Sequence, residues 1–345
     1  MLSAWVVLVS FGYAALLFGI AWIGDKYRER TAQAPLRPII YSLALAVYCS
    51  SWTFYGAVGS AVRYGWGYLP IYLGPLLLLL FGWRIMERLS LVAQSQNTVS
   101  IADFMASRYG RSQRLAALVA LMAVIACVPY LALQYKAVSL SLDTLTGSQV
   151  KRAFWQDPTL YIALIMALFS ILFGTRQVDA TEHRPGLVLA VAFESLIKLI
   201  AFVAVGFFAF LWAHKEQLNP QAALSTLLDN TPSVGFLGQT LLAFTAVVLL
   251  PRQFHVAIVE CNNAADVKRA RWLFGGYLLL ISFMALPIAS VGVHLFGHET
   301  ATADTFVLAL PLAEGSWGLA LAAYIGGFSA ATGMVIITSV ALSII

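Results

Sequence analysis

The sequence predicts an all-α polytopic membrane protein, and three observations carry that prediction. The 345 residues are 60% hydrophobic and only 11% charged, with a mean hydropathy of +0.82, well beyond what a soluble domain carries. Nine apolar stretches are long enough to cross a bilayer as helices. The basic residues between those stretches alternate in density from one connection to the next, as the loops of a multi-span protein do.

Taken in order, the stretches are Leu2–Ile23, Ile39–Val62, Gly67–Ile85, Leu115–Leu142, Leu160–Gly174, Leu187–Trp212, Val234–Leu250, Trp272–Leu295 and Trp317–Ile345. The first lacks the basic leader and small-residue cleavage site of a signal peptide and reads as a retained helix. Connections after the first, third, fifth and seventh stretches hold Lys26, Arg28, Arg30, Arg37, Arg84, Arg88, Arg108, Arg111, Arg114, Arg176, Arg184, Lys268, Arg269 and Arg271. The other connections hold Arg63, Lys151, Arg152 and Lys215. Fourteen against four places the amino terminus outside and the end of the ninth stretch in the cytoplasm. The net charge of +5 follows from that bias, and no basic patch interleaved with aromatics argues for nucleic acid. Cys49, Cys127 and Cys261 are too scattered for a disulfide framework or a metal knuckle.

The connections are short, so no soluble domain is expected within these residues. In the longest cytoplasmic one, Ser100 and Asp103 form a capping box opening an amphipathic helix along the membrane surface. Asn219-Pro220 and Asn230-Thr231-Pro232 mark turns in an outer connection. The last residues, Ser343-Ile344-Ile345, lie at or inside an apolar helix, from which a longer polypeptide is expected.

Tyr48-Cys49-Ser50-Ser51-Trp52 puts small and polar residues in the middle of the second stretch, followed by Gly56 and Gly59. A helix in lipid must satisfy its own backbone, so it loosens only where it lines a cavity. Broken helices at mid-membrane are how many secondary transporters build their sites, so transport is the first functional expectation.

Ionisable groups inside the stretches mark further candidates. Glu194 and Lys198 are spaced i,i+4 with the acid first, which favours an intrahelical ion pair, either structural or serving a proton relay. Lys136 has four readings. It snorkels, it pairs with Asp143 or Glu194, it contacts a substrate carboxylate, or its ammonium replaces a coupling cation. Pro251 ends or kinks the seventh stretch, leaving Arg252 and His255 as an interfacial anchor or a gate. Glu182 sits near a helix amino terminus, where the dipole favours an acid, and His183 titrates in the physiological range. His294, His298 and Glu299 resemble half a metal site with the Glu misplaced for the helical zinc motif, so no metal is expected. The run Gly326-Gly327-Phe328-Ser329-Ala330-Ala331-Thr332-Gly333 serves either close helix packing or cation binding through its hydroxyls. No nucleophile–base pair is visible, and an enzyme is not expected in these residues.

The chain resembles the sodium/solute symporter family, and more closely the amino-terminal transporter domain of CbrA-type sensor histidine kinases. The likeness covers the whole chain. It rests on Tyr48-Cys49-Ser50-Ser51-Trp52, the Thr98–Gly110 segment and Tyr130 through Gln134, with weaker support from Gly174–Glu182 and Gln253-Phe254-His255. It implies the leucine-transporter fold, with one extra helix over 1–37, a first five-helix repeat over 38–214, and the first three helices of a second, incomplete repeat over 215–345. It implies substrate contacts at Ser51, Trp52, Tyr72, Tyr130, Gln134, Phe244 and Thr245. It also implies cation contacts at the carbonyls of Ala46, Cys49 and Gly326 and the hydroxyl of Ser329. The family's second hydroxyl is Ala330 here, its helix Asp is Tyr48, and its Thr-Asp pair is Thr181-Glu182. Those departures turn the expectation from sodium to protons as coupling ion, with Glu182, His183 or Lys136 as titrating groups. The function so implied is uptake of an amino acid, L-histidine, by a domain of the bacterial inner membrane that feeds a kinase in the same polypeptide and its response regulator. A receptor that binds the same ligand without transporting it is the alternative.

Overall fold

The computed structural model describes residues 2–27, 35–147, 155, 158–169, 171–172, 185–217, 234–261, 263–297 and 303–345. Helix α1, Leu2–Lys26, is apolar along its length and ends on Lys26, whose ammonium lies 4.6 Å from the Trp22 ring. Helix α2, Arg37–Leu45, starts with Pro38 in its first turn, where a missing N–H costs nothing. It tightens into a 3-10 turn, Ala46–Tyr48, and breaks at Cys49, which is extended (φ −77°, ψ 92°). The chain restarts as a π-turn, Trp52–Gly56, and continues as α3, Ala57–Tyr64, closed by Gly65 at φ 50°. Helix α4, Pro70–Phe81, leaves at 61° to the segment before it.

Helices α5, Trp83–Ser95, and α6, Ile101–Arg108, follow. The α6 cap forms as its sequence predicts: the Asp103 N–H donates to Ser100 Oγ at 3.1 Å, and the Val99 N–H donates to the Asp103 carboxylate at 3.3 Å. Helix α7, Gln113–Thr146, carries Pro129 in its interior. Helix α8, Pro158–Phe169, is apolar, and α9, Pro185–Lys215, is apolar apart from the buried Glu194, Ser195 and Lys198 and its basic last turn. Helix α10, Phe236–Leu249, breaks at extended Leu250; α11, Pro251–Phe254, and a second π-turn, His255–Val259, resume at 52° to it. Helices α12, Ala265–Phe296, α13, Phe306–Ala313, and α14, Trp317–Ile344, complete the described chain.

Among the described residues, five helices are long and apolar enough to cross a membrane, or up to seven if each bent pair counts as one span. The nine apolar stretches are therefore not all single helices: the second breaks at Cys49, where its small and polar residues predict, and the seventh breaks at Leu250, beside Pro251. Helix α9 is central, packed against α1, α2, α12 and α14. Helix α14 is enclosed almost all round, whereas α7 presents Leu118, Leu121, Ile125 and Leu133 outward. Bare leucines and isoleucines on an outer face suit lipid rather than water. The cysteines are free and buried.

Close approach to α14 depends on its glycines. A Cβ on Gly327 would collide with the Tyr55 hydroxyl, and one on Gly326 with the Phe54 ring, 2.9 Å away. The packing role of the small-residue run is thus realised.

Candidate functional site

The first helix break makes the site. With Cys49 extended, its carbonyl comes to lie beside that of Ala46, which still accepts the Cys49 N–H at 3.0 Å within the 3-10 turn, and both oxygens meet one cation. That cation is the side-chain ammonium of Lys198, from the middle of α9. It donates to Ala46 O at 2.7 Å and to Cys49 O at 2.6 Å, and Lys198 is only 3% exposed. Charge-assisted bonds of this length are the strong ones, because oriented carbonyl dipoles replace the water a buried ammonium has lost.

The break has a second support from α7. Gln134 Oε1 accepts the Ser51 N–H at 3.2 Å and the Ser51 hydroxyl at 2.8 Å, and its amide nitrogen donates to Tyr130 O at 3.3 Å. The restarting helix exposes donors with no partner in the preceding turn, and a buried amide supplies one. One residue earlier, the hydroxyls of Ser50 and Tyr130 are 2.7 Å apart.

Beside these residues lies a cavity of about 170 Å³, walled by Ser51, Trp52, Gly56, Tyr130, Gln134 and Lys136, with Asp304 and Thr305 at one end. The Trp52 indole lies where a Cβ on Gly56 would be, so the glycine makes room for that wall. Lys136 is exposed into this space, with no hydrogen bond or ion pair among the described residues. Asp304 is bridged to Arg63 at 2.8 Å.

Behind Tyr130 the second break contributes a guanidinium. Arg252 lies 4.5 Å from the Tyr130 ring centroid, is 4% exposed, and its Nε has no hydrogen-bond partner. Neighbouring Gln253 is fully buried with neither amide atom bonded, and His255 Nε2 is 3.4 Å from a Glu260 oxygen. Both Arg252 and His255 are therefore interior groups rather than an exposed rim.

Beyond Lys198, a chain of bonds ties α1, α9 and α14 together. The hydroxyls of Tyr13 and Ser329 are 2.7 Å apart, Ser329 donates to Glu194 O at 2.8 Å, and Thr332 donates to Glu194 Oε1 at 2.5 Å. The expected intrahelical Glu194–Lys198 pair is thus resolved differently. The helix break offers Lys198 two carbonyls, α14 offers Glu194 a hydroxyl, and the two residues act on each other only through space.

Of the residues expected to contact substrate, Ser51, Trp52, Tyr130 and Gln134 meet at the cavity, but the polar atoms of Gln134 are already bonded. Tyr72 is buried against Tyr68 outside its lining. Phe244 packs against Gly82, and Thr245 bonds the carbonyls of its own helix. Among the cation-site residues, Ala46 and Cys49 hold an ammonium, Ser329 is spent on Tyr13 and Glu194, and Gly326 spaces helices. Lys136 lines the cavity, while the ammonium on the Ala46 and Cys49 carbonyls is that of Lys198. Its i,i+4 acid partner concealed it in the sequence, as a neighbour in sequence outranks an unseen carbonyl. Asp304 went unnoticed because nothing local distinguishes it. Glu182, His183, His298 and Glu299 lie outside the described residues; His294 packs against the Trp212 ring at 6.2 Å.

A helical membrane protein with a cavity and a buried cation at two broken helices is the class this geometry defines. The chain belongs to the Sodium:solute symporter family, which matches residues 32–338. It is similar, at 23% identity over 304 residues, to the Sodium/pantothenate symporter of Escherichia coli (strain K12). The alignment covers 85% of this chain, which spans 59% of the length of that relative.

Proposed function

We propose that the chain is the transport unit of a secondary transporter for an amino acid, with L-histidine as substrate and protons as the driving ion. The observation that carries the reading is the cavity at the first break, which Trp52 and Tyr130 line together with Lys136, an ammonium unpaired among the described residues. The flat walls suit an imidazole and the ammonium a carboxylate. Arg252, a buried cation with no ion pair among the described residues, supplies a second attraction for a carboxylate once Tyr130 moves. Family membership supports solute transport, and the E. coli relative's named solute, pantothenate, also carries a carboxylate.

In this reading the domain lies in a bacterial inner membrane with its amino terminus outside, as the charge bias favours. It serves as the input module of a sensor histidine kinase acting on a response regulator, which the resemblance supports. The paired breaks, each followed by a π-turn, support the inverted-repeat arrangement.

The test is uptake of labelled histidine by the intact protein in liposomes, with proton and sodium gradients imposed separately. Proton-driven, saturable uptake is the expected result. Uptake of pantothenate but not histidine overturns the substrate; saturable histidine binding without uptake under either gradient points to a receptor.

A further inference from the structure

Two backbone carbonyls at a helix break that share one cation make an oxygen cage of the kind that hard cations occupy, and the resemblance would add the Ser329 hydroxyl of α14 to it. The family's name supplies sodium as the expected guest. The residues present do not fit it. The carbonyls of Ala46 and Cys49 are already bonded to Lys198 Nζ at 2.7 and 2.6 Å, and the Ser329 hydroxyl is committed to Tyr13 and Glu194. A sodium ion at the same point would sit within a few ångströms of an ammonium in a water-poor interior, where two positive charges repel strongly.

We propose that Lys198 is this protein's built-in cation: its ammonium permanently occupies the cage at the helix break, and the state of the break follows protonation of that amine instead of sodium binding. The inference rests on the transport reading for its consequence, though the occupancy stands on the geometry alone. When the amine is charged, the Ala46–Cys49 carbonyls are held to α9. When it gives its proton to water entering the site, the ion–dipole attraction is lost and the break is free to rearrange. The proton is therefore the exchanged species and the nitrogen stays in place.

The groups around Lys198 limit the alternatives. On its own helix is Glu194, bonded to Thr332; from the break comes the Cys49 thiol. Tyr277 on α12 donates to Ser195 O at 2.9 Å, Tyr13 on α1 is bonded to Ser329, and Tyr41 on α2 donates to Ala257 O at 2.8 Å. Arg37 is bridged to Asp266 and Tyr48 donates to Ile71 O. Among the described residues, Glu194 and the Cys49 thiol are thus the competing proton carriers at the cage.

The experiment compares wild type, Lys198→Ala, Lys198→Arg and Glu194→Gln in the intact protein. Thermal unfolding in sodium chloride is set against choline chloride at equal ionic strength. Wild type is expected to show no shift in sodium over choline, whereas Lys198→Ala, its cage vacated, gains a saturable rise in unfolding temperature with sodium over choline, and methylammonium gives the same rise. Lys198→Arg keeps a charge that does not titrate; it is expected to fold, to ignore sodium, and to lose the pH dependence of uptake. A sodium-specific shift in wild type, a Lys198→Ala protein indifferent to both cations, or pH dependence abolished by Glu194→Gln but kept in Lys198→Arg would each overturn the proposal. If Lys198→Ala does not fold, the wild-type and Lys198→Arg measurements still decide. Failure of wild type to bind or import histidine would sink the substrate assignment and leave the sodium measurement untouched.

Discussion

A buried polar side chain in lipid is valued by what it leaves unpaired when removed. Gln134→Leu would strip the partner from both the Ser51 N–H and hydroxyl, and an abandoned buried donor costs about 1–3 kcal/mol. Ser51→Ala removes only the hydroxyl bond and should cost less. Thermal unfolding of the two variants in matched lipid should show that order; equal losses would mean that Gln134 does not hold the break. Gln134 and Lys198 were both recognisable as important from sequence, since polar residues inside apolar stretches stand out. Their partners were not, because each reaches across the fold, Gln134 by 83 positions and Lys198 by 149 and 152. A one-dimensional pattern ranks near neighbours first, which is why Glu194 was matched to Lys198, whereas the substrate role expected of Gln134 came from the family resemblance.

At the scale of the element, α14 tests how close packing constrains a helix. Gly327→Val would drive a branched side chain into the Tyr55 hydroxyl, so folded yield should fall sharply. Gly318→Ala, on the same helix with open space around it, should be neutral or mildly stabilising through helix propensity. The ratio of monodisperse protein recovered in detergent reads both. The helices themselves were largely legible. Apolar runs located α1, α7, α9, α12 and α14, Ser100 announced the start of α6, and Pro251 announced the second break. The π-turns were not, since an i→i+5 winding is imposed by what the helix must pack around and leaves no composition of its own.

Two ion pairs brace the whole molecule at opposite ends of the same segment. Arg37, at the start of α2, bridges Asp266 at the start of α12; Arg63, near the end of α3, bridges Asp304 beyond the end of α12. Partly exposed pairs of this kind are each worth roughly 0–1 kcal/mol, enough to bias a two-state equilibrium several-fold but too little to lock it. Asp266→Asn should therefore raise thiol-reagent access to a cysteine placed near the α2 start, and Asp304→Asn access near Tyr64, each without the other. Joint changes at both ends would refute independent gates. The π-turns after the two breaks bear on how such gates could work. Each stores one surplus residue in its winding, a short reserve of slack beside a joint. Rewinding to ordinary α-helix would pay that slack out, shifting the joint by about 1.5 Å and turning the helix beyond it by a fraction of a turn. The hinges thus have travel built into them, and no backbone hydrogen bond need be surrendered to lipid when they move.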